Sequence, residues 1–283
     1  MTTAKPEIGL WPGDPPGTPV LPDADAMTPT APDDPGTFER VGRPSLFVYR
    51  SDTPNRAAAL MFPGGGYQHV AIGKGSGDIA RRLNASGITV FVLKYRLPSG
   101  RWTGGADIVL QDGQRAMRLI RAKAKQFAVD RERIAVLGFS AGGYGAATLL
   151  TRFRQPSYAA GDAIDEEDAR PDLAGLMYPV IVLDRPFAHA PSRDALLGPD
   201  APPERAAAYS PDLHVPADAP PTFLAHAYDD AAVPVENSLA MFKALTAARV
   251  PAQLHAFQEG GHGLHGQPWM VLFLAWIRSH GFV

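Results

Sequence analysis

The 283-residue chain has no cysteine, which excludes disulfide staples, thiolate zinc sites and a cysteine nucleophile together. Without thiols it tolerates either redox environment. It also lacks a surplus of either charge: 27 Lys and Arg stand against 29 Asp and Glu, for a formal net charge of -2. No basic excess is available to hold nucleic acid or an anionic membrane. Long apolar runs are missing as well. The longest, "WMVLFLAWI" at 269–277, falls far short of the roughly 20 residues that span a bilayer and reads as a core-facing terminal helix. The opening "MTTAKPEIGLWPGDPPG" has no apolar signal-like stretch. The expectation is a cytoplasmic protein, or a secreted or periplasmic one whose signal has been removed. Partners should be small molecules, with no nucleic acid and no membrane, and no cofactor or metal is implied.

What is present is 45% hydrophobic residues and a clear alternation. Ten of the 28 prolines precede residue 45, so residues 1–45 read as a Pro-rich arm extended over the surface, unable to form helices or central strands. Residues 46–283 read as one domain. Its expected strands are 46–50, 58–62, 88–93, 133–139, 173–181, 222–228 and 252–257. Helical spacing falls at 77–87, 112–127, 141–153 and 235–250. In the second of these, Ala116, Leu119, Ile120, Lys123 and Phe127 share a stripe, and Arg115, Arg118, Arg121 and Lys125 are expected to face water. Strands alternating with helices predict an α/β fold, a mainly parallel sheet with helices on both faces and its ligand site at the carboxyl ends of the strands. The stretch 185–215 has no strand pattern and is a candidate partial cap. The acidic "DAIDEEDARPD" at 162–172 reads as a solvated connector rather than a calcium loop.

Within that frame "LGFSAGGY", residues 137–144, carries Gly-x-Ser-x-Gly as Gly138, Ser140 and Gly142, at the end of an apolar strand and the start of a small-residue helix. A tight strand-to-helix turn brings backbone segments together where a Cβ would collide, and leaves the serine hydroxyl exposed. "FPGGGYQHV" follows another strand, and its glycine run marks main chain that approaches another group closely. The N–H groups of Gly65, Gly66 and Ala141 can there hold the negative charge that develops when Ser140 attacks an acyl carbon. A base and an acid follow in the chain: "FQEGGHGLHG" offers His262, with His265 and His255 as rivals, and "FLAHAYDDAAVPVENS" offers Asp229 and Asp230. His255 alternates within a strand and reads as packed. His262 and His265 form H-x-x-H without the carboxylate motif a zinc site needs.

Taken together, "FPGGGY", "VFVLKYRLP", "RIAVLGFSAGG", "RPDLAGLMYPVI", "AYDDAAVPVENS" and "GGHG" resemble the α/β-hydrolase group of bacterial acetyl-xylan and feruloyl esterase-like enzymes, relatives of the hormone-sensitive-lipase-like esterases. The likeness runs over roughly residues 8 to 280. It implies an α/β-hydrolase fold, Ser140 as nucleophile, His262 as base and Asp230, four residues before the proline of D-x-x-V-P, as acid. Two departures bear on substrate shape. Pro63 stands where related esterases often have histidine before the glycines, and Tyr144 where many have histidine after S-A-G-G. Tyr67, His69, Tyr144 and His189 are candidate substrate-binding residues, with Ser192 and Arg193 beside His189 on the leaving-group side. Tyr95 and Arg96 read as structural. The expected activity is a serine esterase acting on short acyl, above all acetyl, esters of small molecules or oligosaccharides. A feruloyl or aryl esterase, a related serine peptidase and a non-catalytic binding protein on the same fold are the alternatives.

Overall fold

Every apolar run expected to be a strand is one, because runs of β-branched, aromatic and aliphatic residues fit a sheet buried on both faces. The computed structural model describes residues 6–19, 25–28 and 36–283; the rest of the Pro-rich segment lies outside the described residues. The strands are β1 (Glu7–Gly9), β2 (Ala26–Thr28), β3 (Thr37–Arg40), β4 (Ser45–Tyr49), β5 (Ala58–Phe62), β6 (Val70–Ala71), β7 (Thr89–Lys94), β8 (Ile134–Phe139), β9 (Leu173–Met177), β10 (Thr222–Ala227) and β11 (Ala252–Phe257). The helices are α1 (Lys74–Asn84), α2 (Asp107–Ala122), α3 (Ala124–Phe127), α4 (Ala141–Arg152), α5 (Ala190–Leu197), α6 (Pro203–Ala208), α7 (Glu236–Ala247) and α8 (Trp269–Ser279). None of the described helices is long and apolar enough to cross a membrane.

Eight strands form the main sheet in the order β1-β4-β7-β5-β8-β9-β10-β11. From β7 to β11 all pairings are parallel, while β4 pairs antiparallel with both β7 and β1. Helices cover both faces. On one face Phe273 of α8 packs against Phe223 at 5.4 Å between ring centroids, and Leu83 of α1 and Ile277 of α8 enclose the same small apolar void. On the other face Ser238 of α7 bonds His226 of β10, and α4 lies so close to β8 that a Cβ on Gly138 would come within 2.6 Å of the Ala146 Cβ. β9 stops four residues before the expected end, because Tyr178 turns to φ 38° and Pro179 has no N–H for a ladder.

Two expectations need correcting. Arg115 and Arg121 do not face water; they are 2% and 5% exposed. A buried guanidinium needs acceptors, and both find them. Arg115 donates to Asp162, Asp165 and the Leu10 carbonyl, and Arg121 to the Arg131, Asp168 and Arg170 carbonyls and Asp172. The acidic 162–172 stretch is accordingly more than a solvated connector, for it supplies the counter-charges of α2. Its partner residues extend into the opening segment. Trp11 Nε1 donates to Asp112, and Arg96, wholly buried, pairs with Asp112 at 2.9 Å and donates to the Pro16 carbonyl.

Candidate active site

The sharp turn between β8 and α4 is set by backbone crowding. Ser140 takes φ 55° and ψ -123°, a conformation that costs a non-glycine residue on the order of 1–3 kcal/mol. The surroundings hold it there. Its N–H donates to the Met177 carbonyl at 3.1 Å, and its carbonyl accepts from Gly143 at 2.9 Å and Val180 at 3.0 Å. A Cβ on Gly142 would sit 2.2 Å from the Phe62 carbonyl oxygen and 2.3 Å from that of Pro63. Glycine is therefore required at that position for the loop after β5 to reach the turn.

At the carboxyl end of β10 the turn 228–233 presents two carboxylates that act differently. Asp229 accepts from the N–H groups of Gly260 and Gly261 and so holds the loop that carries His262. Asp230, its side chain wholly buried, points Oδ2 at His262 Nδ1 at 2.8 Å, and its Oδ1 accepts from Ala232 and Val233, each at 2.9 Å. His262 Nε2 lies 2.8 Å from Ser140 Oγ. Burial opposes ionisation of Asp230, but hydrogen bonds from His226, His262 and the Val233 N–H outweigh it and hold the carboxyl well below the usual carboxylate range. Chain order and spacing thus converge on one hydroxyl, one imidazole and one carboxylate, an arrangement able to pass the serine proton to the ring while the carboxylate stabilises the resulting imidazolium.

Two contributors were missed in the sequence. His226 is fully buried behind the carboxylate: its Nε2 approaches the Val233 carbonyl at 2.9 Å and Asp230 Oδ2 at 3.3 Å, and its Nδ1 meets Ser238 Oγ at 2.8 Å. The available signal was a histidine near the carboxyl end of a mostly apolar strand, four residues before the acid. Tyr178 packs its ring edge-on to His262 at 4.8 Å, and burial, reinforced by Asp230, pushes its hydroxyl up to about 12. Its signal was an aromatic immediately after β9.

The glycine loop lies against the serine turn. A Cβ on Gly64 would be 3.2 Å from that of Ser140, and Gly65 takes φ 137° with its Cβ position occupied by the His69 carbonyl. As the first residue of α4, Ala141 has an N–H with no intrahelical partner. Two substrate-binding expectations fail here. Tyr67 and Tyr144 are each 1% exposed and pack edge-on to one another in the core at 6.0 Å, so neither ring lines a pocket. Tyr67 is turned inward by its own φ of 61°, and its hydroxyl donates to the Ala141 carbonyl at 2.7 Å, while Tyr95 donates to the Pro63 carbonyl at 2.8 Å. These tyrosines brace the loop from beneath. His69 is half-buried beside Gly65. His189 is half-buried too, within Coulombic reach of His262 and Asp230. His265 is exposed and His255 stays packed in β11, its ring 5.2 Å from Phe223.

The chain matches the model of the α/β-hydrolase-fold family over residues 59–266, and it belongs to that family. It is 33% identical over 227 residues to endo-1,4-β-xylanase B of Butyrivibrio fibrisolvens, covering 78% of this chain and 34% of that protein. It is 28% identical over 232 residues to an acetylxylan esterase of Xylanibacter ruminicola, covering 81% of this chain and 45% of that one. The chain thus spans between a third and a half of the length of these two curated relatives. Among solved structures it superposes on an acetyl ester-xyloside bifunctional hydrolase of Caldicellulosiruptor lactoaceticus with a TM-score of 0.80 and 35% identity, over 99% of this chain and 97% of that one. A thermophilic esterase of Thermogutta terrifontis with propionate bound matches at a TM-score of 0.67 and 25% identity, over 85% and 91% of the two chains.

Proposed function

We propose that this chain is a serine carboxylic ester hydrolase that removes short acyl groups, acetyl foremost, from acylated sugars. The observation that carries the reading is the continuous relay from Ser140 Oγ to His262 Nε2 and from His262 Nδ1 to Asp230 Oδ2, each contact 2.8 Å. In the first half-reaction Ser140 Oγ attacks the acyl carbon as His262 takes its proton, and the oxyanion accepts from the N–H groups of Gly65, Gly66 and Ala141. Collapse expels the alcohol, which receives the proton from His262 and leaves Ser140 acylated. Water then attacks the acyl-enzyme with His262 again as base, releasing the carboxylic acid and restoring the serine. Each oxyanion donor of this kind is worth roughly 2.7–4 kcal/mol in the transition state. The acyl and alcohol preferences draw support from the names of the relatives, which include acetyl ester and acetylxylan activities. We further propose that 185–215 with α5 and α6 forms the cap on the leaving-group side, over a single hydrolase domain 46–283.

The test combines turnover with labelling. Purified protein should release p-nitrophenol from p-nitrophenyl acetate and take up one phosphonyl group from a serine-directed fluorophosphonate. Ser140→Ala should abolish the label and lower kcat by on the order of 10⁴–10⁶ with the fold intact. A wild-type protein with neither turnover nor label would support the binding-protein alternative.

A further inference from the structure

We infer that His189 presents its Nε2–H as a fixed, uncharged hydrogen-bond donor to the alcohol half of the substrate, and so favours hydroxyl-rich leaving groups. The inference rests on the ester-hydrolase reading and assigns its leaving-group subsite. His189 is the residue immediately before α5, and its Nδ1 accepts from the Ser192 backbone N–H at 3.3 Å. A backbone N–H can only donate, so Nδ1 bears no proton. Ser192 Oγ, in a residue 0% exposed, meets the same nitrogen at 2.8 Å and supplies a second donor. A neutral imidazole in that state carries its hydrogen on Nε2.

Burial first, and the nearby His262 second, lower the His189 pKa, with Asp230 opposing, so the ring is held towards its neutral form. Among the described residues no recorded acceptor takes the Nε2–H. His189 is half-buried and within electrostatic reach of both His262 and Asp230, on the segment that leaves the carboxyl end of β9 and returns to the parallel β10.

A purely local role explains less. Ser, Thr, Asp and Asn are the preferred residues for capping a helix start, and any of them would serve α5 as well. None of them would project a second polar group from the far side of the cap. The absence of charge also fits the chemistry, because a fixed cation beside His262 would disfavour the imidazolium that proton transfer creates. A neutral N–H can donate to a sugar hydroxyl or ring oxygen without that cost.

The experiment compares kcat/KM for a mono-O-acetyl xyloside with kcat/KM for p-nitrophenyl acetate, whose alcohol half has no hydroxyl, in wild type, His189→Ala and His189→Ser. Serine keeps a capping oxygen for α5 and removes the distant donor. The sugar-to-aryl ratio is expected to fall at least about tenfold in both variants. An unchanged ratio in both, whatever their absolute rates or melting temperatures, overturns the inference and leaves the ring as a cap. A ratio that falls in His189→Ala and recovers in His189→Ser overturns it also, since the cap alone would then be responsible. A wild type that cleaves neither ester overturns the hydrolase reading and this inference with it; one that cleaves only the aryl ester overturns the sugar reading.

Discussion

Adjacent aspartates at 229 and 230 carry the same functional group into different tasks, and the backbone decides which. Asp230 is buried with one oxygen on His262 and the other on two N–H groups, whereas Asp229 is exposed and spends its oxygens on Gly260 and Gly261. Asp230→Asn should lower kcat by up to roughly 10⁴, since the amide presents the wrong partner to Nδ1–H. Asp229→Asn keeps one acceptor oxygen for the loop and should cost less than about tenfold. Steady-state kinetics on p-nitrophenyl acetate distinguish the two, and the reverse order would move the acid to Asp229. The depressed pKa of Asp230 has a consequence for stability as well. A carboxyl lowered by folding contributes stability that is fully present above its unfolded pKa, about 3.9, and is lost as pH falls through the lower folded value. Urea melts should therefore show the stability difference between wild type and Asp230→Asn shrinking as pH drops below about 4. A difference constant from pH 6 to pH 2 would contradict the hydrogen-bonded, ionised state. His226 holds the carboxylate from behind, its Nε2 facing the Val233 carbonyl and Asp230 Oδ2 and its Nδ1 meeting Ser238 Oγ.

The serine turn works as an element because a strand, a glycine loop and a helix start are fitted to one another. Tyr67 ties two of them, for it belongs to the loop after β5 and bonds the carbonyl of the first residue of α4. Tyr67→Phe keeps the ring packing and removes the hydroxyl with its bonds to the Ala141 carbonyl and the Gly145 backbone, so a stability loss of about 1 kcal/mol is expected, with kcat lowered several-fold and KM little changed. Thermal melts and initial rates check both; a KM rise at constant kcat would instead return Tyr67 to the substrate pocket. Ser140, Asp230 and His262 could be singled out in the sequence because the first two closely follow the largely apolar β8 and β10 and the third stands in a glycine-rich loop after β11, and the structure brings the three side chains together. Tyr67 and Tyr144 were misread for a physical reason. Sequence adjacency to the glycines and to Ser140 says nothing about which way a side chain turns, and a positive φ at Tyr67 sends its ring into the core. β1, β2, β3 and β6 escaped notice since they run two to four residues each, too short for alternation to register.

At the scale of the whole molecule, Arg115, expected on a solvated helix face, instead helps bind the opening segment to the hydrolase core. Arg96, Arg115 and Trp11 join that segment to α2, and Lys94 pairs with Glu7 at 2.8 Å and Asp25 at 2.5 Å. No periodicity could reveal this, because an arginine facing acceptors distant in sequence has the same helical spacing as one facing water. Two cavities lie away from the serine turn. A cleft of about 390 Å³ is lined by Thr151 to Gln155, His214 and Pro216, at the far end of α4 from Ser140, and a void of about 10 Å³ sits beneath the sheet among Ala59, Leu137 and Phe273. Neither is lined by Ser140, Tyr178 or His262. A long acyl chain gains about 0.8 kcal/mol for each methylene it buries, and it needs an apolar channel reaching the acyl carbon to realise that gain. The Tyr178 ring, packed edge-on to His262 at 4.8 Å, is expected to crowd a tail as long as octanoyl more than an acetyl group. Acetyl esters should accordingly be preferred over octanoyl esters by at least about tenfold in kcat/KM, a difference of only about 1.4 kcal/mol. The measurement is a series of p-nitrophenyl esters from two to eight carbons, with acetate release from acetylated xylo-oligosaccharides as its natural counterpart. Rates that rise steadily with chain length, and no acetate from the sugars, would point to an apolar acyl channel and to a general esterase.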